Sequence, residues 1–313
     1  MKVKNQKLRD IFSKGVFKGE VKFMEPMKNH TSLRIGGPAD VFAMPQDIFS
    51  LINIHAALKR NKIPVFPLGG GTNILVRDRG IEGVVVSSKS FRRIGVVSRD
   101  SSYVYVTVEA GALLQRLVHY TKENGYSGIE GLAGIPGTLG GAVSGNAGAF
   151  GCEIKDVLVS VEIMDTEGKI KKVKADKIGF RYRSSGILQG EFILSAEIKL
   201  TAGNTEEVSS RIENFLKIKK EKQPIWEASA GCVYKNPSGL SAGKLIDEAG
   251  CKGMSVGGVE VSNLHANFFI NKGGANASDF IRLMEEVAGR VKGKFGILLE
   301  PEIKIVGRGN VKR

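Results

Sequence analysis

Residues 131–151 read GLAGIPGTLGGAVSGNAGAFG, and eight of these twenty-one positions are glycine. Glycine reaches positive φ at little steric cost and lets another group come close to the backbone. A flexible linker would carry more serine, lysine or glutamate than this nearly uncharged stretch. The composition predicts a backbone cradle for a large, flat ligand that bears phosphate, and neither a helix nor a plain strand. A tight packing corner between strands is the structural alternative.

A second glycine-rich stretch lies nearer the N-terminus, where residues 65–76 read VFPLGGGTNILV. An apolar run meets three glycines at 69–71, which are followed by Thr72 and Asn73. This order predicts a strand that ends in a glycine turn with polar groups at its lip. The turn is not a Walker A loop, since no Gly-Lys-Ser/Thr follows, and Ile74 stands where G-x-G-x-x-G needs its last glycine. The common nucleotide loops are therefore excluded, while two loops of phosphate-binding type remain.

Composition sets the broad class. A chain of 313 residues predicts two or three domains, and 42% apolar with 25% charged residues are ordinary globular values. The formal net charge is +14, but lysine and arginine are scattered without a long basic run. That scatter argues against a nucleic-acid surface. A positive field that attracts anionic ligands and a merely lysine-rich surface both stay open.

Membrane and metal classes are not expected. The sequence contains no stretch of 18 apolar residues, and residues 1–15 lack an apolar core of signal-peptide length. Its three cysteines, Cys152, Cys232 and Cys251, show neither CxxC spacing nor companion histidines. We therefore expect a cytoplasmic protein without a structural metal.

The hydrophobic periodicity predicts mixed helices and strands without regular βαβ repeats, which favours an α+β fold. Helices are predicted over 46–60, 111–122, 205–220 and 278–292, strands over 103–110 and 192–200, and a hairpin around the turn Thr166-Glu167-Gly168.

Several segments, in order along nearly the whole chain, resemble the UDP-N-acetylenolpyruvoylglucosamine reductase family. They are NHTSLRIGGPAD (29–40), LGGGTNILV (68–76), GLAGIPGTLGGAV with NAGAFG (131–151), FRYRSSG (180–186), AGCVYKNPSG with AGKLIDEAG (230–250), VSNLHANFFIN (261–271) and FGILLEPEIKIVG (295–307). The resemblance implies NADPH-dependent reduction of UDP-N-acetylglucosamine enolpyruvate to UDP-N-acetylmuramate through bound FAD, in peptidoglycan precursor synthesis. It also implies a small-molecule UDP-sugar as partner, no nucleic acid or membrane, and a monomer.

The same resemblance implies a domain plan. An FAD-binding domain of the vanillyl-alcohol-oxidase type would consist of two α/β subdomains, 1–95 and 96–203. A C-terminal α+β substrate-binding domain would span 204–313, and its last strand is a candidate to return to the FAD-binding domain.

Site residues carry over onto the matching positions. The cofactor-binding residues are expected to be Gly69, Gly70, Gly71, Thr72, Asn73, Ile74, Gly134, Ile135, Gly137, Thr138, Gly141, Ala142, Asn146 and Gly148. The substrate or nicotinamide cofactor is expected to contact Tyr182, Lys235, Asn236 and Lys304.

The catalytic residues implied by the resemblance are Arg183, Glu302 and Cys232. Flavin N5 would deliver a hydride to the enolpyruvyl double bond, and Arg183 and Glu302 would stabilise the enolate that develops. The family usually has serine as proton donor where this chain has Cys232, so a thiol donor and an inert packed cysteine both stay open. The chain also resembles the branch of the family that lacks a tyrosine-bearing loop, which leaves the residues at the substrate pyrophosphate open.

Two other functions are compatible with parts of the sequence. One is another FAD-dependent oxidoreductase of the same fold, acting on a hydroxy acid or an alcohol. The other is a non-enzymatic basic protein that binds nucleic acid with a steep salt dependence.

We predict that FAD is bound tightly but not covalently, because neither glycine loop contains the cysteine or histidine that could form a flavin bond. Acid precipitation of the purified protein should release the yellow colour into the supernatant. Colour that stays with the pellet would contradict the prediction.

Overall fold

The computed structural model describes residues 2–13, 15 and 17–309, so the outer ends of the predicted domain plan, at 1 and 310–313, lie outside the described residues. The contacts divide the chain into two compact units. The first unit comprises Met1–Phe23, Val41–Gly70 and Gly83–Ile218, and the second comprises Met24–Asp40, Gly71–Glu82 and Lys219–Arg313. The three-part domain plan stays a prediction.

Helices and strands alternate irregularly along the chain. The helices are α1 (Lys2–Ser13), α2 (Ile48–Arg60), α3 (Leu114–Asn124), α4 (Leu139–Ser144), α5 (Thr205–Lys222), α6 (Ala242–Glu248) and α7 (Ala277–Phe295). The strands are β1 (Gly19–Pro26), β2 (Pro38–Pro45), β3 (Val65–Leu68), β4 (Ile74–Val76), β5 (Ile81–Ser87), β6 (Ile94–Arg99), β7 (Tyr103–Glu109), β8 (Tyr126–Ser127), β9 (Gly148–Ala149), β10 (Cys152–Glu153), β11 (Leu158–Met164), β12 (Ile170–Lys174), β13 (Phe192–Ala202), β14 (Ser255–Val256), β15 (Val259–Val261), β16 (Phe269–Asn271) and β17 (Lys304–Val306).

An antiparallel sheet of order β12-β11-β13-β7-β6 forms the centre of the first unit, with β8 paired to β13. In β7 the alternate residues Val104, Val106 and Val108 are fully buried, as the period of a half-buried strand requires. They join one hydrophobic core with Leu117 of α3. Helix α3 ends at Gly125, which takes the left-handed conformation with φ +67°.

The second unit is built around α7, whose buried face includes Phe280, Leu283 and Val287. The antiparallel strands β14-β15-β16 belong to this unit, as do β4 and β17, which pair in parallel. Asp78 lies at the start of α7, where its carboxylate accepts hydrogen bonds from the Ala277 and Ser278 N–H groups at 2.7 and 3.0 Å. These donors have no partner inside the helix, so Asp78 acts as a cap from outside it.

The predicted helices, strands and hairpin are confirmed by α2, α3, α5, α7, β7, β13 and the antiparallel β11–β12 pair. No helix among the described residues is long and apolar enough to span a membrane.

The expectation that the glycine-rich stretch 131–151 contains no helix is wrong, since α4 forms within it. The Thr138 hydroxyl accepts a hydrogen bond from the Gly141 N–H at 3.4 Å and so caps the helix. A Cβ added at Gly140 would lie 3.0 Å from the Ala110 Cβ. Close packing of small residues on Ala110 therefore decides the structure here, against the low helix propensity of glycine.

We predict that Asp78→Ala lowers the free energy of unfolding by about 1–2 kcal/mol, because the Ala277 and Ser278 N–H groups lose their acceptor, although the Asn276 side chain still caps α7. Glu285 lies at an exposed position inside the same helix. Glu285→Ala removes a negative charge but no capping hydrogen bond, so it should change stability by less than about 0.5 kcal/mol. Urea titrations followed by circular dichroism measure both. Equal losses in the two variants would show that charge, and not capping, is responsible.

Candidate active site

The two glycine-rich stretches meet in the first unit. A Cβ added at Gly69 would lie 2.6 Å from the Thr138 Oγ1, and one added at Gly70 would lie 2.7 Å from the Gly137 Cα. Real side chains do not approach so closely, so glycine is required at both positions. The packing corner that the sequence offered as an alternative is therefore present, and it lies where the cradle is predicted.

The rest of the predicted cofactor stretch includes a segment that the Gln115 side chain holds, a helix and a strand. Gln115 of α3 accepts a hydrogen bond from the Gly134 N–H at 2.8 Å and donates to the Ile135 carbonyl at 2.7 Å. Gly141 and Ala142 lie in α4. Gly148 lies in β9, where an added Cβ would be 2.6 Å from the Cys152 carbonyl oxygen.

The glycine turn continues into the second unit at Gly71, Thr72 and Asn73. Gly71 has φ +69°, and an added Cβ would lie 2.0 Å from the His30 carbonyl oxygen. The Asn73 side chain donates to the Glu302 carbonyl at 3.2 Å, and the Asn73 carbonyl accepts from the Lys304 N–H at 3.1 Å. The end of the turn thus fixes the backbone on both sides of Ile303, and β4 and β17 continue the pairing with Ile74 opposite Lys304.

The segment that carries Cys232 lies beside the segment that carries Glu302. The Glu302 N–H donates to the Val233 carbonyl, and the Lys235 N–H donates to the Glu300 carbonyl, both at 2.8 Å. Cys232 is half-buried. Two predicted catalytic residues that are far apart in sequence are therefore placed on neighbouring, hydrogen-bonded segments of the second unit.

The predicted substrate residues of the second unit have protein partners in the structure. The Lys235 ammonium pairs with the Glu300 carboxylate, which is 70% exposed. The Asn236 Oδ1 accepts from the Ala242 N–H at 2.9 Å and so fixes the loop before α6. Lys304 has a large accessible area, yet the surrounding protein desolvates its ammonium, which lowers its pKa.

Arg183 lies in a strained turn of the first unit. The turn is closed by hydrogen bonds from the Arg181 N–H to the Ser184 carbonyl and from the Ser184 N–H to the Arg181 carbonyl, at 3.0 and 3.1 Å. Arg183 has φ +56°, a conformation that costs an L-residue roughly 1–2 kcal/mol. Its guanidinium carbon lies 5.0 Å from the ring centroid of the exposed Tyr182. The surrounding contacts must therefore hold the backbone in this conformation.

The glycine-rich stretch supplies those contacts. Asn146, fully buried with φ +42°, donates to the Arg181 carbonyl at 3.1 Å. The Ser185 hydroxyl donates to the Ser144 carbonyl at 2.9 Å. Asn146 also donates to the Glu153 carboxylate at 3.0 Å, and its Oδ1 has no hydrogen-bond partner within the described chain. The residue assigned to cofactor binding thus also holds the turn of the predicted catalytic arginine.

Glu153 stays charged beside Asn146. Burial acts to raise the pKa of Glu153, but hydrogen bonds from Lys155 and Asn146 and the charges of Lys155 and Arg183 outweigh it and lower the pKa. The carboxylate is therefore an anion at neutral pH and a permanent acceptor for Asn146.

Sequence reasoning missed two buried polar residues that shape the site. Glu130, at the start of the glycine-rich stretch, accepts from the Ser127 hydroxyl and the Gly128 N–H, each at 2.8 Å, and pairs with Arg211 at 2.9 Å. Asn267 binds the backbone of Tyr234. The available signal was a polar residue inside an apolar context, in IEGLAG and HANFFI.

His265 takes part in a local hydrogen bond of the second unit. Its Nδ1 accepts from the Asn267 N–H at 3.3 Å, and burial lowers its pKa. The described residues hold no group of three side chains suited to bind a metal ion.

The glycine loops fit FAD. Gly69, Gly70, Gly134 and Gly137 stay partly exposed, and no residue of the two loops carries a charged side chain. Backbone groups can therefore approach the anionic oxygens of a dinucleotide without a clash with Cβ atoms.

Family models match the chain in two regions. An FAD binding domain matches residues 39–174, and the UDP-N-acetylenolpyruvoylglucosamine reductase C-terminal domain matches residues 223–306. These matches, with the mixed helices and strands of both units, confirm the expected α+β fold with an FAD-binding part and a C-terminal domain.

Named relatives match along nearly the whole chain. UDP-N-acetylenolpyruvoylglucosamine reductase from Caldanaerobacter subterraneus subsp. tengcongensis is 45% identical over 96% of this chain and 97% of its own length. The enzyme of the same name from Clostridioides difficile is 41% identical over 93% of this chain and 94% of its own. The crystal structure of UDP-N-acetylenolpyruvylglucosamine reductase from Thermus caldophilus is 33% identical, with a TM-score of 0.76 over 92% of this chain and 99% of that one. The chain belongs to the UDP-N-acetylenolpyruvoylglucosamine reductase family.

Proposed function

We propose that the protein binds FAD non-covalently and uses NADPH to reduce UDP-N-acetylglucosamine enolpyruvate to UDP-N-acetylmuramate. The observation that carries this proposal is the backbone hydrogen bonding between the Cys232 segment and the Glu302 segment in the second unit. The Asn73 turn contacts the Glu302 segment. The meeting of the two glycine loops in the first unit supports it independently.

The cofactor residues are the partly exposed glycines of the two loops, and Thr72, Asn73, Ile135, Thr138 and Asn146 are assigned to the cofactor as well. The backbone of the glycines can approach the ligand closely because glycine has no Cβ. When bound, FAD supplies the hydride that adds to the enolpyruvyl double bond. Binding, orientation and charge are the contributions of the protein.

Arg183 stabilises the negative charge that develops on the enolpyruvyl carboxylate. A guanidinium is always charged and offers a planar fork that matches a carboxylate. Because its turn is closed by two hydrogen bonds and held by Asn146, the guanidinium starts from a fixed backbone. Charge stabilisation is most effective when the group needs no reorganisation during the reaction.

Glu302 and Cys232 complete the enolpyruvyl step. Glu302 is assigned, together with Arg183, to the stabilisation of the developing enolate. The Cys232 thiol then gives its proton to the carbon next to the site of hydride addition. A thiol has a reference pKa of about 8.5 and is therefore mostly protonated at neutral pH. Tyr182, Lys235, Asn236 and Lys304 are assigned to the substrate or to NADPH.

The setting of the reaction is part of the proposal. We assign the protein to the cytoplasm as a monomer, with a small UDP-sugar as its partner and with neither nucleic acid nor a membrane. The scattered basic residues and the cysteine pattern support this assignment.

One experiment tests the function directly. The holoenzyme is mixed with NADPH without oxygen, and then with the enolpyruvyl UDP-sugar, while the flavin absorbance is followed. Rapid bleaching by NADPH and recovery on adding the sugar are expected. Bleaching without recovery would favour another oxidoreductase of the same fold, and a colourless protein would contradict the flavin assignment.

We predict that Arg183→Ala and Glu302→Ala separate the two half-reactions. NADPH should still bleach the flavin, whereas reoxidation by the sugar should slow by roughly 10²–10³-fold, because charge stabilisation is lost where the charge develops. Arg181→Ala, which removes an exposed charge two residues away, serves as the control in stopped-flow traces. If both half-reactions slow together, the residues are structural or serve NADPH.

For Cys232 we predict that replacement by serine retains substantial turnover, since the hydroxyl restores the usual donor of the family. Cys232→Ala should keep bleaching by NADPH but lose product formation by about 10²-fold or more. Alkylation should inactivate the wild type, with protection by substrate, and spare the serine variant. Near-normal product formation by the alanine variant would show that Cys232 only packs.

A further inference from the structure

Asn267 lies next to the Cys232 segment and binds its backbone through a side chain. The Asn267 Oδ1 accepts from the Tyr234 N–H at 2.9 Å, and its Nδ2 donates to the Tyr234 carbonyl at 2.8 Å. The Asn267 carbonyl accepts from the Val233 N–H at 2.8 Å. Asn267 is 2% exposed, and so is Tyr234. One amide side chain therefore satisfies both peptide groups of a buried residue.

The course of the backbone explains why a side chain is needed. Cys232 and Phe268 form an isolated bridge. Beyond it the chain turns away, since the Phe268 N–H donates to the His265 carbonyl at 2.9 Å. Main-chain pairing with Tyr234 stops at this turn. The Asn267 amide, which carries a donor and an acceptor like a peptide group, takes the place of the missing pair.

The opposite edge of the same segment is held by main-chain bonds. Glu302 and Ile303 donate to the Val233 carbonyl at 2.8 and 3.3 Å. Asn73 then fixes the Glu302 carbonyl from the far side at 3.2 Å. The Cys232 segment is thus clamped between Asn267 and the Glu302 segment. A shift on the Asn267 side would therefore move the backbone that carries Cys232.

We propose that Asn267 is a positioning residue, which holds the Cys232 thiol in place for proton delivery by clamping the backbone of Tyr234. The inference rests on the proposed function for the role of the thiol. None of the residues assigned to the proposed reaction lies in the HANFF segment (265–269). The inference therefore assigns a function to this segment.

The test uses the FAD-loaded full chain and Asn267→Asp, an isosteric change that removes the Nδ2 donor and puts a repelling oxygen beside the Tyr234 carbonyl. Asn267→Ser, which is smaller and neutral, is the second variant in case the aspartate does not fold. Asn263→Asp changes an exposed asparagine two residues before the HANFF segment and is the matched control.

Four quantities are measured. Bleaching by NADPH should stay within about twofold of wild type, while single-turnover reoxidation slows by roughly 10–100-fold, as for a misplaced reacting group. The solvent deuterium isotope effect on reoxidation should rise, because proton transfer becomes limiting. The alkylation rate of Cys232, mapped by mass spectrometry without substrate, should change by at least about fivefold, because thiol reactivity follows its surroundings. The control should match wild type in all four.

Coupling to Cys232 decides the mechanism. In a Cys232→Ala background, Asn267→Asp should slow reoxidation by less than about twofold further, since residues that act through one another are not additive. A full further loss would overturn the proposal, and so would equal losses in both half-reactions or wild-type reoxidation in Asn267→Asp. A wild type that the sugar cannot reoxidise would instead refute the proposed function. In that case the alkylation rate alone decides the placement of the thiol, and an unchanged rate overturns it.

Discussion

Close approach of backbone to backbone is the constraint on which the candidate site depends. Gly69 and Gly70 lie so near Thr138 and Gly137 that any Cβ would overlap them. The same holds in the second unit, where Gly71 meets the His30 carbonyl. Removing side chains lets the loops pack and leaves their peptide groups partly exposed to a ligand. Folding these glycines costs conformational entropy, because glycine is more flexible than other residues in the unfolded chain.

Asparagine side chains hold backbone segments at three places in the candidate site. Asn73 joins the glycine turn to Glu302, Asn146 joins the glycine-rich stretch to the Arg183 turn, and Asn267 joins the HANFF segment to Tyr234. An amide offers a donor and an acceptor in the geometry of a peptide group, so it can hold irregular segments that have left a sheet. The backbone segment of each of the three predicted catalytic residues is thereby held by an asparagine amide.

The turn that carries Arg183 depends on a charged carboxylate and on a strained backbone conformation. Glu153 remains an anion because hydrogen bonds and nearby cations outweigh its desolvation, and it anchors Asn146. Asn146 in turn holds a turn in which an arginine adopts a left-handed conformation. A strained residue that persists is one that its surroundings over-determine. Here the surroundings include Asn146, so a residue proposed to bind FAD also holds the turn of Arg183.

The sequence by itself determined the elements whose signal is local. The alternation of β7, the amphipathic period of α7 and the turn between β11 and β12 each arise from neighbours within a few residues. The ordered segments that resemble the reductase family are also local patterns, and they identified the family. Tertiary structure alone decided that 139–144 forms a helix, that Asn73 meets Glu302, that Lys235 pairs with Glu300, and that Arg183 takes a positive φ. Each of these depends on groups brought together from distant parts of the chain or on local packing strong enough to override intrinsic backbone preference, and periodicity carries no information about either.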